Sequence, residues 1–242
     1  ATVKKGFDPS FIKKKKVDKL FLSLSREDKL PRRFLNYSLH KSKLFNKGLV
    51  SHLRVDGDFD LNTDLKTFSS RTDFDVDLYI KYAQEKHSLD NLETYQLKDD
   101  VCYNYALYSH LNKRVLIDLA VESFVTDYLF VTEKLLKPIV FKTPFLLLGA
   151  PYTLKYMKHL GFQTFDCVFD ESYDEQPVLY DRVNSMLSNL NQLSSLSLQD
   201  VIKKFKITEE ICDHNYNVFM KSDWTFNLQE KIERIINSLV SL

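Results

Sequence analysis

The residue types best suited to chemistry stand together at the start of a predicted helix. Thr132, Glu133 and Lys134 precede apolar residues at helical spacing. Threonine is a favoured N-cap residue, and a helix N-terminus attracts anions such as phosphate. The Lys134 ammonium can neutralise a diphosphate, and a carboxylate such as that of Glu133 can accept hydrogen bonds from ribose hydroxyls. These residues predict a nucleotide site; the alternative is an ordinary helix cap with a surface Glu–Lys pair.

Short apolar segments that alternate with helical patterns predict the scaffold for this site. We predict strands at 18–25, 49–55, 114–121, 145–149 and 163–168, with the first, third and fourth adjacent at the centre. This alternation is typical of an α/β fold with a Rossmann-like, doubly wound, mostly parallel sheet. Because such sheets bind ligands outside the carboxyl ends of their strands, six side chains are expected to converge at one edge: Arg26, Arg32, Glu122, Thr132, Glu133 and Lys134.

The pattern also divides the chain into regions. Residues 1–17 are a predicted basic extended arm, and its lysine run, Lys13–Lys16, should pack little against its own domain. The α/β domain spans 18–175 and contains an insertion at 56–111, which we predict to be irregular over 56–72 and helical over 73–87. Gly161 is expected to end a preceding helix in the left-handed conformation. A helical C-terminal extension, 176–242, has predicted helices at 178–193, 198–205, 208–220 and 226–242.

Composition excludes several classes of protein. The chain has 242 residues and a net charge of +1. Its three cysteines include no close pair, which disfavours a disulfide framework or a Cys-rich zinc site and indicates a reducing, cytoplasmic compartment. No signal peptide and no membrane span are predicted. Charge is uneven, with 15 Lys/Arg against 4 Asp/Glu in residues 1–54 and 5 against 12 in 55–100. A basic face of this kind can bind nucleic acid or a phosphorylated donor, or it can simply be solvated.

Metal sites are not supported by the spacing of acidic residues and histidines. Asp56–Asp64 alternates like a calcium loop, but the glycine expected at its sixth position is Leu61. Neither this segment nor Asp73–Asp77 follows an apolar strand in the way that a metal-binding motif requires, so both are predicted to be solvated loops. The histidines lack metal-binding spacing, and no G-x-S-x-G sequence indicates a serine hydrolase. We therefore predict no metal and no cofactor.

A second polar motif, F-D-E-S-Y-D, occupies residues 169–174. Its side chains have two alternative roles that the sequence does not separate. Asp170, Glu171 and Tyr173 can line the same cleft as the nucleotide site. Alternatively, Asp174 can cap the helix that follows.

Longer motifs around these residues resemble a known family. The chain reads T-E-K-x-x-K-P-I from Thr132, then P-F-x-x-x-G-A-P, and then L-K-x-x-x-x-L-G-F-x-T-F. With Glu122, this pattern resembles the donor-binding half of α-1,3-fucosyltransferases, and it is still more similar to glycosyltransferase-like proteins of bacteriophages and large DNA viruses. The resemblance implies a GT-B fold and metal-independent transfer from a nucleotide-sugar, most simply a GDP-sugar. It also implies donor contacts by Glu133, Lys134 and Phe130; the family has Tyr where this chain has Phe130. Lys137, three residues after Lys134, is a candidate for lining the same cleft.

The chain also departs from that family. A GT-B enzyme has two Rossmann-like domains, and its general base lies in the first, whereas residues for only one such domain are present. No catalytic residue is therefore assigned: the general base comes from the 56–111 insertion, or another chain supplies it, or catalysis is lost. The acceptor can be a glycan, a protein or a nucleic acid. The rival hypothesis is a non-catalytic binding or virion-associated protein in the host cytoplasm, which grips a protein partner through its basic arm.

Overall fold

The computed structural model describes residues 15–27, 29–55, 61–68, 70–84, 105–125, 128–129 and 131–221. Four strands lie in this part of the chain: β1 (Lys19–Glu27), β2 (Gly48–Val55), β3 (Val115–Val121) and β4 (Phe145–Leu148). The α-helices there are α1 (Leu30–Lys41), α2 (Leu61–Phe68), α3 (Val76–Gln84), α4 (Tyr105–Asn112), α5 (Glu133–Val140), α6 (Thr153–His159), α7 (Leu179–Ser194), α8 (Leu198–Phe205) and α9 (Glu209–Lys221). Within the described residues, no helix is both long and apolar enough to cross a bilayer.

The described strands form one parallel sheet in the order β2-β1-β3-β4. Strand β1 pairs with β2 on one side and with β3 on the other, and Leu22 lies opposite Asp118. The predicted α/β class, with the segments of β1, β3 and β4 adjacent and parallel, is confirmed. Strand β4, however, lies at the edge of the described sheet, where we had predicted a central position.

Helices cover both faces of the sheet. On β2, His52 Nδ1 and the Tyr82 hydroxyl of α3 share a hydrogen bond of 3.3 Å. On β3, Asp118 accepts a hydrogen bond from the Tyr108 hydroxyl of α4 at 2.6 Å. The strand register puts His52 and Asp118 on opposite faces, because alternate residues of a strand point to opposite sides. Burial on both faces explains why β3 and β4 are nearly continuous apolar runs.

The fifth predicted strand, 163–168, is wrong. The chain there forms a loop and a turn, because side chains occupy the backbone groups that a neighbouring strand would need. Asn215 of α9 accepts from the Gln163 amide at 2.8 Å and donates to its carbonyl at 2.9 Å. Glu171 accepts from the Phe165 amide at 2.7 Å. An apolar pattern alone does not reveal such partners.

The irregular segment predicted for 56–72 is also wrong where the structure describes it, since α2 begins at Leu61. Phe68 of this helix stacks on Phe34 of α1, with ring centroids 4.2 Å apart. Asp64 is not the solvated loop residue that we predicted: it is 2% exposed and pairs with the buried Arg33. The prediction holds better for Asp73–Asp77, whose aspartates are exposed; Asp75 Oδ1 accepts a hydrogen bond from the Leu78 amide.

The C-terminal helices belong to the same hydrophobic core as the sheet. The predictions for 178–193, 198–205 and 208–220 correspond to α7, α8 and α9, and the prediction for 226–242 lies outside the described residues. Helix α7 packs against α1 and β4, and α9 packs against α5. Gly161 ends the segment after α6 with φ +89°, as predicted for a left-handed residue.

The part of the basic arm that the structure describes is anchored to the domain. Lys15 Nζ donates to Thr143 Oγ1 at 2.7 Å, and Thr143 Oγ1 in turn donates to Asn112 Oδ1 at 2.8 Å. Burial of this ammonium lowers the pKa of Lys15 to about 8. The prediction that the lysine run packs little against its own domain is therefore wrong for Lys15; residues 1–14 lie outside the described part. The hydrogen bond to Thr143 and the nearby Asp118 carboxylate offset part of the cost of burying this charge.

Candidate functional site

The topology identifies one place where a ligand would fit an open parallel sheet. The chain passes from β1 to β2 on one side and then continues with β3 on the other side of β1. The strand order therefore reverses between β1 and β3, and ligands of such sheets bind outside the carboxyl ends at this switch point. Two side chains meet across it. Arg32 of α1 is 3% exposed, and its Nη2 donates to the Ser123 hydroxyl, two residues after β3, at 3.1 Å.

Glu122 fixes the start of α5 at this edge. Its side chain is fully buried directly after β3. The Thr132 amide donates to Glu122 Oε1 at 2.8 Å, and the Thr132 hydroxyl donates to Glu122 Oε2 at 2.5 Å. Both carboxylate oxygens of Glu122 thus accept hydrogen bonds from Thr132. Glu122 is therefore a positioning residue that ties the helix start to the carboxyl end of the central sheet.

Thr132 is the N-cap of α5, as the sequence predicts. Its hydroxyl accepts a hydrogen bond from the Lys134 amide at 3.3 Å, and the Lys134 ammonium lies at the same distance from that oxygen. Partial positive charge of the helix dipole and the charge of Lys134 consequently add at one point. Glu133 is the first residue of the helix; the side chains of Glu133 and Arg26, and the whole of Phe130, lie outside the described residues.

Lys137 belongs to a different environment from Lys134, one helical turn away. It is 8% exposed, and its Nζ lies 5.7 Å from the centre of the Tyr108 ring. The hydroxyl of Tyr108 donates to Asp118, and burial raises the pKa of the Asp118 carboxyl to about 6. The structure thus places Lys137 in a buried polar cluster with Asp118, Tyr108 and Lys15, on the face of the sheet that α4 covers.

The F-D-E-S-Y-D motif lies beside β4. Glu171 accepts from the Thr164 hydroxyl and the Phe165 amide, both at 2.7 Å, and Asp170 caps a 3₁₀ helix, Glu171–Glu175, by accepting from the Ser172 amide. The buried Tyr173 hydroxyl accepts from the Leu147 amide of β4 at 3.1 Å. These bonds hold the motif to the sheet and to its own loop.

Asp174 caps a helix, but not the one that we predicted. Its Oδ2 accepts from the Leu154 amide at 2.8 Å, so it caps α6, which precedes it in the chain, whereas the predicted partner was α7. Burial raises the pKa of this carboxyl to about 6. The loop therefore folds back on the helix, and a cap can be supplied from 20 residues further along the chain.

This carboxyl should make stability depend on pH. Since its pKa rises on folding, the native state binds more protons between about pH 4 and pH 6, and the contribution of Asp174 to stability is lost as the pH rises through that window. We therefore compare the unfolding free energy of Asp174→Asn with that of the parent. Between about pH 4 and pH 7, the variant should gain roughly 2–3 kcal/mol relative to the parent, because it lacks the titrating carboxyl. Urea unfolding at several pH values measures it; a difference that does not vary with pH would contradict the prediction.

Sequence reasoning missed two features of the switch point. Phe124 is 55% exposed, and the Lys29 ammonium lies 5.5 Å from the centre of its ring. Arg182 of α7 donates to the Val125 carbonyl at 2.5 Å and to the Gln176 carbonyl at 2.6 Å. An aromatic residue so soon after Glu122 was a usable signal for the first feature. Nothing local in the sequence indicates that Arg182 would hold this loop.

The site thus combines a capped helix N-terminus, cationic side chains and an exposed aromatic ring at one sheet edge. Among the described residues, no group of three or more His, Cys, Asp or Glu side chains could hold a metal ion. Comparison with family models, with curated proteins and with solved structures gives no match to this chain.

Proposed function

We propose that this chain binds a nucleotide-sugar at the switch point and transfers its sugar as a GT-B type glycosyltransferase with a Rossmann-like donor domain. The observation that carries the proposal is the Glu122–Thr132 pair, which fixes the N-terminus of α5 at the carboxyl end of β3. A helix N-terminus held at that place can receive phosphate through its backbone amides. The family resemblance of the same residues supports a GDP-sugar as donor.

The surrounding side chains suit the parts of such a donor. The ammonium of Lys134 would neutralise charge that develops on the departing diphosphate, and the buried guanidinium of Arg32 adds to the positive potential. The exposed ring of Phe124 offers a stacking face for a nucleobase. By resemblance, Glu133 would bind the ribose and Phe130 the nucleotide. The acceptor, a glycan, a protein or a nucleic acid, would approach from solvent.

One observation favours a second candidate, a binding protein that retains the fold without catalysis. Glu122 is the carboxylate that the structure places directly at the switch point, and both its oxygens are bound to Thr132. It is therefore engaged in positioning and is a poor general base. In this reading the chain would bind a nucleotide or a virion partner, and a basic arm beyond Lys15 would contribute to the contact.

Lys134→Ala tests the donor site. Charge-assisted contacts contribute roughly 1.5–3 kcal/mol each, so we expect GDP affinity to fall by about tenfold or more. The fold should survive, because an exposed or half-exposed cation contributes little to stability. Calorimetry with GDP, UDP and ADP measures the effect, and a ligand at 100 times its dissociation constant should stabilise the parent by about 2.7 kcal/mol.

Lys47→Ala is the matched control, since Lys47 is an exposed lysine directly before β2, at the amino ends of the strands and thus opposite the switch point. An affinity for nucleoside diphosphates that is the same in Lys134→Ala and Lys47→Ala would refute the donor site. Incubation with a GDP-sugar, with and without a chelator, then separates the two candidate functions. Release of GDP that resists chelation supports the transferase, whereas tight binding without any release supports the binding protein.

A further inference from the structure

A cavity lies between α1 and α7, outside the sheet. It has a volume of about 420 Å³, within the range of roughly 300–1,000 Å³ found for small-molecule sites. Ser38, Ser42 and Lys41 contribute from the C-terminal half of α1, and Asn184 and Asn191 contribute from α7. This half of α1 leads towards the amino end of β2, so the cavity is remote from the switch point.

Neutral polar groups line the accessible part of the cavity. Phe34 and Tyr180 close it at the base, where their rings are 1% and 5% exposed and pack against each other with centroids 5.3 Å apart. Towards the opening lie the Ser38 hydroxyl and the amides of Asn184 and Asn191, the last two on exposed positions of α7. Amides and hydroxyls both donate and accept hydrogen bonds, so they match a ligand that also does both.

The charges at the opening offset each other. The Lys41 ammonium donates to the Asp73 backbone carbonyl at 2.9 Å, and the Asp73 carboxylate interacts with the Tyr180 hydroxyl. One cation and one anion therefore stand side by side at the rim. Such a rim gives little net attraction to an ionised ligand, because the two Coulomb energies nearly cancel.

We propose that this cavity binds a neutral saccharide. A sugar ring presents hydroxyls that both donate and accept hydrogen bonds, which fits the Ser38 hydroxyl and the amides of Asn184 and Asn191. The cavity shares no residue with the switch point. Saccharide binding here is thus independent of nucleotide binding there.

Ligand-observed saturation-transfer NMR on the full chain provides the test. The probes are glucose, galactose, mannose, N-acetylglucosamine and neutral disaccharides, with glucuronate and glucosamine as charged counterparts. We expect at least one neutral sugar to bind, and both charged counterparts to bind more weakly. The double variant Asn184→Ala, Asn191→Ala should weaken binding by about tenfold, since it removes two neutral hydrogen-bonding groups from the cavity.

Gln192→Ala is the matched control, because Gln192 is an exposed amide on α7 that does not line the cavity. The Asn variants should leave GDP binding unchanged, and Lys134→Ala should leave saccharide binding unchanged, so the two sites can fail separately. The proposal is overturned if no neutral sugar binds, if binding is the same in the double Asn variant, or if the charged sugars bind equally well. Circular dichroism on each variant checks that the fold is retained.

Discussion

Replacing Asp64 by alanine should lower the free energy of unfolding by about 3–5 kcal/mol, because it removes the carboxylate that pairs with the buried Arg33 guanidinium. The two side chains are 2% and 3% exposed and form two hydrogen bonds, at 2.7 and 3.0 Å. The Tyr79 hydroxyl adds a third bond to the same carboxylate at 2.6 Å. Thermal denaturation should show a fall in melting temperature of roughly 10 °C.

Two further variants identify the cause of that loss. Asp18→Ala removes an ion pair of similar length, 2.6 Å to Arg114, whose side chains are more than a third exposed, and it should cost less than about 1 kcal/mol. The apolar replacement Arg33→Met, Asp64→Leu, Tyr79→Phe should recover most of the stability, because both charges of the pair are removed together. If it is as unstable as Asp64→Ala, packing and not charge explains the effect.

Glu122→Ala should be the most disruptive change at the candidate site. It removes a buried acceptor from the Thr132 amide and hydroxyl, and each charged hydrogen bond contributes roughly 1.5–3 kcal/mol. We expect a loss of about 3 kcal/mol or more in chemical denaturation. GDP affinity should fall as well, since α5 then begins without its anchor at the sheet edge.

A double-mutant cycle separates this pair from general damage. Thr132→Ala alone removes the cap and one bond to Glu122, with an expected cost of about 0.5–2 kcal/mol. Combined with Glu122→Ala it should cost less than the sum of the two, because the shared bond is lost only once. Glu175→Ala, an exposed carboxylate, should change stability by less than about 0.5 kcal/mol. Strict additivity of Glu122→Ala and Thr132→Ala would contradict the positioning role.

The sheet could be predicted from sequence because its buried strands carry the signal themselves. Strand β3 is buried at every residue, and so is β4, which requires continuous apolar runs. Parallel strands also place their carboxyl ends together, so the meeting of Arg32 with the loop after β3 followed from connectivity. The Thr132 cap is equally local, since an N-cap residue and its helix are neighbours in the chain.

The errors arose where side chains from distant segments decide the structure. The prediction of a solvated Asp64 followed from the many aspartates in the segment before it. Leu61, Leu65 and Phe68 nevertheless show helical spacing. The partner that buries it, Arg33, is 31 residues away. In the same way, the segment at Gln163 is held by Asn215, which lies 52 residues further along. No pattern within a short window contains such information.

Strand β4 has a consequence for the behaviour of the protein in concentrated solution. It ends the described sheet, and the exposed edge of a sheet is a template on which another molecule can add a strand. Here the outward amide of Leu147 is already bonded to the hydroxyl of Tyr173, a residue that is 1% exposed. The F-D-E-S-Y-D motif thereby occupies one of the donors that an added strand would use. Because the net charge is only +1, charge repulsion between copies is weak, and this cover adds to the protection of the edge.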